Sequence, residues 1–141
     1  MHEQFSYEKR HRYPHMKPQD VLIWERFIEK YPDAYDHVFY DFEVGNGPAF
    51  DTIVNPETGG DDIKLYQYKI DVVGVKGGKT DLIEIKPRAG LSCCGQICGY
   101  RCLWDPEMTH GLKAQAVIIT DELRPDIERV CKEMDIKIIV V

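Results

Sequence analysis

Val21, Trp24, Phe27 and Ile28 recur at spacings of three and four, the period of one apolar stripe on a helix. Pro18-Gln19-Asp20 opens that helix and Pro32 ends it. The period then shortens. From Ala34 to Val44, Val38, Tyr40 and Phe42 alternate with Phe39, Asp41 and Glu43, which predicts a strand. Residues 45–64 are punctuated by Gly and Pro and read as a long excursion with a short strand at Phe50–Val54. Leu65 to Val75 predicts the next strand, and Thr80 to Lys86 the strand that returns beside it. Lys76-Gly77-Gly78-Lys79 joins them as a hairpin turn, because paired glycines supply the positive φ angles of a tight turn. Leu91 to Trp104 predicts a helix whose continuation is stopped by Pro106. Ala114 to Thr120 is a largely apolar run, the mark of a strand covered on both faces. Arg124 to Met134 reads as a short amphipathic helix with Pro125 at its start, where a missing N–H is harmless. Ile136 to Val141 is a last apolar strand. The predicted order is α-β-β-β-α-β-α-β. A hairpin-rich half followed by β-α-β implies an α/β fold with a mixed sheet covered by helices.

Residues 1–18 precede this pattern. Lys9, Arg10, Arg12 and Lys17 there oppose only Glu3 and Glu8, and His2, His11 and His15 add to the basic character. The segment reads as a flexible aromatic and basic arm, with 19–141 as a single domain. The 141-residue composition, 43% hydrophobic and 30% charged, is that of a globular chain and excludes wholesale disorder. Eighteen basic against 24 acidic residues leave a net charge of −6. That balance excludes a broadly basic nucleic-acid binder, though not a local phosphate-binding patch. No apolar stretch approaches the roughly 20 residues that cross a bilayer, and the first residues lack the apolar centre of a signal peptide. A cytoplasmic protein without membrane contact is expected, or one in the host cytoplasm or the virion if a phage encodes it.

Cys93, Cys94, Cys98, Cys102 and Cys131 are an odd set with four members inside ten residues, a poor disulfide framework. Cys94, Cys98 and Cys102 fall at i, i+4 and i+8, one stripe of a helix, which predicts small buried packing residues. A structural zinc site would want a second ligand pair elsewhere, and none is present. The five histidines show no H-E-x-x-H spacing. Cys93 is placed near the start of a predicted helix, where a thiol pKa would fall, but no partner histidine is assignable.

The stretch that carries chemistry is KIDVVGVKGGKTDLIEIKP. Asp71 sits in one strand. Glu84 and Lys86, two apart on the next, project from the same face. The hairpin turn brings Asp71 near that pair, so two carboxylates and an ammonium gather among Val72, Val73, Ile83 and Ile85. Clustered carboxylates repel, and desolvation worsens it. A divalent cation compensates, since Mg²⁺ takes one or two carboxylates together with water and phosphate oxygens. A lysine alongside can orient a water or meet developing charge on phosphate. A plain salt bridge of Lys86 with one acid is the other reading that the spacing permits.

This arrangement, strand–Asp71–hairpin–strand–Glu84-Ile85-Lys86, then a helix and a buried strand, resembles the PD-(D/E)xK nuclease superfamily. Gln96-x-x-x-Tyr100 on the following helix resembles the Q-x-x-x-Y motif of its RecB-like branch. Ile70 stands where the superfamily's proline would precede the acid. The resemblance covers residues 19–141 and implies a restriction-endonuclease-like fold and a Mg²⁺- or Mn²⁺-dependent nuclease acting on DNA. It implies Asp71, Glu84 and the Ile85 carbonyl as metal ligands and Lys86 as the residue positioning the attacking water. The acid from the first helix would be Glu25 rather than Glu29. Gln96, Tyr100, Arg88 and Arg101 would hold the nucleic acid. Iron–sulfur members of that branch draw ligands from outside the core, and such an outlying set is missing here, so no cluster is expected. The implied settings are phage or mobile-element DNA processing, recombination and repair, in company with a homo-oligomer or a phage or repair partner. The competing expectation is a catalytically silent nuclease-fold protein with a structural or adaptor role, for example in a phage particle or packaging assembly.

Overall fold

The computed structural model describes residues 2–45, 68–104 and 114–141. The strand expected at 50–54 and the start of the one expected from Leu65 lie outside those residues. The elements are β1 (Gln4–Ser6), α1 (Pro18–Lys30), β2 (His37–Val44), β3 (Tyr68–Lys76), β4 (Lys79–Ile85), α2 (Leu91–Leu103), β5 (Gln115–Thr120), α3 (Pro125–Glu133) and β6 (Ile136–Val140). The six strands form one sheet in chain order. β1 to β4 are antiparallel neighbours, whereas β4, β5 and β6 run parallel. The fold is therefore α/β with a mixed sheet. Gly77 and Gly78 carry φ of 54° and 81° in the β3–β4 turn, the two positive values that a two-residue hairpin of this hand requires.

Helix faces follow the apolar periodicity. α1 buries Ile23, Trp24, Phe27 and Ile28 against Val72, Ile83, Ile85, Val117 and Ile119. Trp24 is wholly buried, and its Nε1–H donates to the Tyr40 hydroxyl at 3.0 Å, so the one polar atom of the ring is satisfied. The two parallel crossovers, α2 and α3, cover the opposite face with Cys93, Ile97, Ile127 and Cys131 over Leu82, Ala116 and Ile118. β4 and β5 are thus covered on both sides, which is why Leu82-Ile83 and Ala116 to Ile119 are apolar without alternation. β2 alternates half-buried and buried residues along its whole length.

The observed order begins with a strand that the pattern reading lacks, and residues 2–17 are not a free arm. Phe5 pairs with Val38 as β1 adds to the edge of β2. Tyr7 donates to the Tyr31 carbonyl at 2.6 Å, Tyr13 is buried, and Lys9 pairs with Glu29. The His2 ring stacks on Phe42 at 3.7 Å. The expectation of a flexible arm weighed its charges and missed its aromatics, which dock on α1 and β2 by tertiary contact rather than by periodicity.

The cysteine stripe is corrected in part. Cys93, Cys94 and Cys131 are buried, but Cys98 is half-buried and Cys102 exposed, and all five are free thiols. Burial beside Glu84 raises the Cys93 thiol rather than lowering it, so the helix start does not activate it.

Candidate active site

The β3–β4 ladder runs from Lys76 opposite Lys79 to Val72 opposite Ile83 and ends there. Beyond that pair β3 stays with β2 as far as Tyr68, and β4 stays with β5 as far as Ile85. The sheet forks between its antiparallel and parallel halves. Asp71 and Glu84 are the first residues past the last pair, one on each prong. Asp71 Oδ2 accepts the Ile85 backbone N–H at 2.9 Å, so a carboxylate replaces the missing ladder carbonyl. Glu84 is 9% exposed, and its Oε2 is buried without a hydrogen-bond partner. A buried carboxylate oxygen left in that state is costly and marks a place for a cation or a proton.

Both carboxyls are pushed above their ordinary range. For Asp71 burial is the chief cause, opposed by the Ile85 N–H. For Glu84 burial comes first and the Asp71 charge second. The two acids titrate as a pair, and Glu84, whose Oε2 has no hydrogen-bond partner, is the one raised by the Asp71 charge as well as by burial. Lys86 is exposed at the end of the same prong and favours the charged form of Glu84.

Two further acids stand near the pair, and pattern reading picked out neither. Asp20, in the first turn of α1, raises both Asp71 and Glu84 through its charge. Its own carboxyl is raised by burial and lowered by Lys17 and Lys86. Asp20 is thus the acid of α1 whose charge reaches the pair. Glu25, the expected one, is instead engaged by the Tyr13 hydroxyl at 2.9 Å, as an anchor for the N-terminal segment. Glu29 is taken by Lys9. Asp41 sits in β2 between the pairs Tyr40–Val72 and Phe42–Ile70, at the level of Asp71, with φ of 53°. That left-handed kink keeps the alternation of burial but switches its face, so Tyr40 joins the core under α1 and Phe42 the core under α2. Asp41 Oδ2 lies 3.6 Å from both Lys69 Nζ and His15 Nε2. A positive φ in a non-glycine residue is strained, and Asp tolerates it better than most.

Gln96 and Tyr100 line one recess of about 520 Å³ on α2 together with Tyr68. The Tyr100 phenol is raised to about 12 by burial and then by the charges of Glu84 and Asp71, which places it toward the carboxylates. Gln96 is exposed on α2 and lines a groove of about 570 Å³ with Lys86, Arg88, Ser92 and Arg124. Arg88 is exposed with φ of 47°, its N–H held by Asp121 Oδ1 at 2.9 Å and its Nε 3.1 Å from Glu122. Arg101 does not join them. It donates to the carbonyls of Met134 and Asp135 at 2.9 and 2.8 Å, tying α2 to the turn after α3. Those bonds give it a structural role.

Among the described residues no three His, Cys, Asp or Glu side chains converge as a ready metal cage. The two carboxylates at the fork still fit a hard cation that keeps water and substrate oxygens as its other ligands. Also among the described residues, no helix is long and apolar enough to cross a membrane.

No protein-family model and no curated protein matches this sequence. Solved structures do. Protein VC1899 from Vibrio cholerae superposes with a TM-score of 0.54 at 17% identity, over 86% of this chain and 30% of its own. The protein of unknown function AF1548 superposes with a TM-score of 0.51 at 19% identity, over 85% of this chain and 55% of its own. The chain spans less than two thirds of either neighbour's length, and at these identities the likeness is one of fold: the α/β sheet and its helices.

Proposed function

We propose that the chain is a divalent-metal-dependent nuclease that hydrolyses phosphodiester bonds in DNA, with its site at the β3–β4 fork. The observation that carries this reading is the pair itself. Asp71 and Glu84 are held together past the last rung of the ladder, one Glu84 oxygen is buried without a partner, and Lys86 stands at the end of the prong. Asp71, Glu84 and the Ile85 carbonyl are the groups that would hold Mg²⁺ or Mn²⁺, with Asp20 at their flank. Such an ion, when bound, acidifies water and screens phosphate charge. The remaining roles fall to the chain. Lys86 Nζ holds the attacking water and donates to a phosphate oxygen. Tyr100 closes the α2 side of the carboxylate pair. Gln96 and Arg88 contact the strand along the groove, and Arg88 meets phosphate with charge-assisted hydrogen bonds. The resemblance of Asp71, Glu84-x-Lys86 and Gln96-x-x-x-Tyr100 to the PD-(D/E)xK pattern supports the same reading. DNA processing in recombination, repair or a phage is the setting that it suggests.

The test is cleavage of supercoiled, linear, single-stranded and branched DNA by the purified chain with Mg²⁺, Mn²⁺ or EDTA. Glu84→Ala and Lys86→Ala are each expected to lower the rate by about a hundredfold or more while the fold persists. Retained cleavage in both would remove the assignment. A folded protein that cleaves none of these substrates would move the reading to a structural or adaptor role.

A further inference from the structure

At the other end of the sheet, away from the fork, the end of α1 and the loop after it stand over the starts of β4 and β6. Tyr35 lies flat on β3 at Gly74. A Cβ there would sit 2.6 Å from the Tyr35 ring, so the glycine is what lets the ring approach. The Tyr35 hydroxyl donates to Asp81 Oδ2 at 2.7 Å, and Asp81 is the cross-strand partner of Gly74. Tyrosine, glycine and aspartate thus form one built unit. Burial and the Asp81 charge raise the Tyr35 phenol far above its ordinary range, so it stays a donor.

Against this unit opens a cavity of about 260 Å³, walled by Phe27, Tyr31, Tyr35 and Ile139. Through Ala34, Asp81 and Lys137 it continues into an outer recess of about 500 Å³ that Lys76, Lys79 and Lys137 rim. Lys76 is tied to the Asp33 carbonyl. Lys79 and Lys137 are exposed and make no ion pair among the described residues. The inner part is aromatic, the wall is a carboxylate with Oδ2 already occupied, and the mouth is cationic. A purely apolar ligand would leave the Asp81 acceptor unanswered, and bare phosphate would leave the aromatic slot empty.

We propose that this is a nucleotide site: the base enters the aromatic slot, an exocyclic amino group donates to Asp81, and phosphate rests on Lys79 and Lys137. Asp81 and Glu84 are three residues apart on β4, about 10 Å along the strand. The site is separate from the fork and does not rest on the nuclease reading. The same chemistry could arrive as a free nucleotide or as the 5′-phosphorylated end of a strand.

Calorimetric titration in EDTA keeps cleavage out of the test, and Trp24, stacked on Phe27 at 5.4 Å, gives a fluorescence readout beside the slot. AMP and CMP are expected to saturate the full chain with Kd of about 1 mM or tighter. UMP, adenosine and inorganic phosphate should each bind at least about tenfold more weakly, because UMP and adenosine each lack one of the three contacts and inorganic phosphate lacks two. The exposed pair Lys79→Ala/Lys137→Ala should weaken AMP by about tenfold or more without moving the thermal midpoint. Asp81→Asn should reverse the preference between AMP and UMP. A 5′-phosphorylated oligo(dA) that binds tighter than AMP, and loses that advantage in the lysine variant, would identify a strand end as the ligand; AMP binding tighter than the oligonucleotide would identify the free nucleotide. No saturable nucleotide binding, or AMP affinity unchanged by the lysine substitutions, would overturn the proposal.

Discussion

The Ile85 backbone N–H donates to Asp71 Oδ2 at 2.9 Å, across the point where β3 and β4 separate. That bond fastens one carboxylate to the opposite prong and leaves Glu84 as the acid without a donor. Both groups are raised above their unfolded values, chiefly by burial. The native state therefore holds more protons than the unfolded chain from the ordinary carboxylate range upward, and its stability falls as pH rises through that window. Glu84→Gln is neutral at every pH and avoids this. In metal-free buffer it should stabilise the protein by about 1–2 kcal/mol at pH 8 and by less at pH 5. Urea unfolding at the two pH values measures it. Adding Mg²⁺ should raise the wild-type midpoint and leave that of Glu84→Gln unchanged, and equal responses would remove the cation from the fork.

The two acids of α1 predict opposite outcomes. Asp20 acts on Asp71 and Glu84 through its charge, and Glu25 is bonded to Tyr13. Asp20→Asn should lower metal-dependent cleavage by about tenfold or more and shift the Mg²⁺ requirement upward. Glu25→Gln should leave cleavage within about twofold of wild type and lower stability by about 1 kcal/mol through the weakened Tyr13 bond. Rates at several Mg²⁺ concentrations beside thermal melts separate the two. Loss of cleavage in Glu25→Gln alone would return the helix acid to that position.

These residues also mark where pattern reading reaches its limit. Period-two alternation located β2, and apolar runs located β5 and β6, because burial on one or two faces writes itself directly into the sequence. Asp71 and Glu84 were legible as a pair because a short hairpin fixes the pairing of β3 and β4 from the Gly77-Gly78 turn outward. The fork was not legible, since the end of a ladder depends on competition with β2 and β5 for the same strands. Nor was the helix acid. Asp20 and Glu25 are five residues apart on α1, and which of them meets the sheet depends on how far the helix slides along it. The structural bonds of Arg101 were not legible either, because its partners are backbone carbonyls of a distant turn, invisible to any side-chain pattern.

Arg101 tests that last point. Its guanidinium bonds the Met134 and Asp135 carbonyls, where the chain turns with Asp135 at φ of 56°. Arg101→Ala frees two carbonyls at the exit of α3 and should lower stability by about 1–2 kcal/mol. It should leave DNA affinity and cleavage within about twofold, whereas Arg88→Ala should weaken DNA binding and flatten its salt dependence by about one phosphate contact. Binding titrations at several salt concentrations, with chemical unfolding of both variants, check the contrast. Equal weakening by the two substitutions would put Arg101 back at the interface.

Gly74 and Tyr35 give a prediction about packing that stands apart from any activity. The Tyr35 ring occupies the space into which a side chain at Gly74 would project, at 2.6 Å from the ideal Cβ. β3 is paired on both sides there, with Val38 and with Asp81, so the backbone has little room to retreat. Gly74→Ala should therefore lower stability by about 1–3 kcal/mol, the usual scale of overpacking, despite the better strand propensity of alanine. Tyr35→Ala should also be destabilising, because it removes a half-buried ring packed on the core and its bond to Asp81. The double variant is the informative one. With the ring gone, the new methyl enters space that the ring vacated, so the cost of Gly74→Ala should shrink to near zero or change sign. A coupling of about 1–3 kcal/mol in the urea-unfolding cycle is expected for two groups in direct contact. Additive costs would mean that the ring moves aside freely, and that the Tyr35–Asp81 unit is not held by the fold.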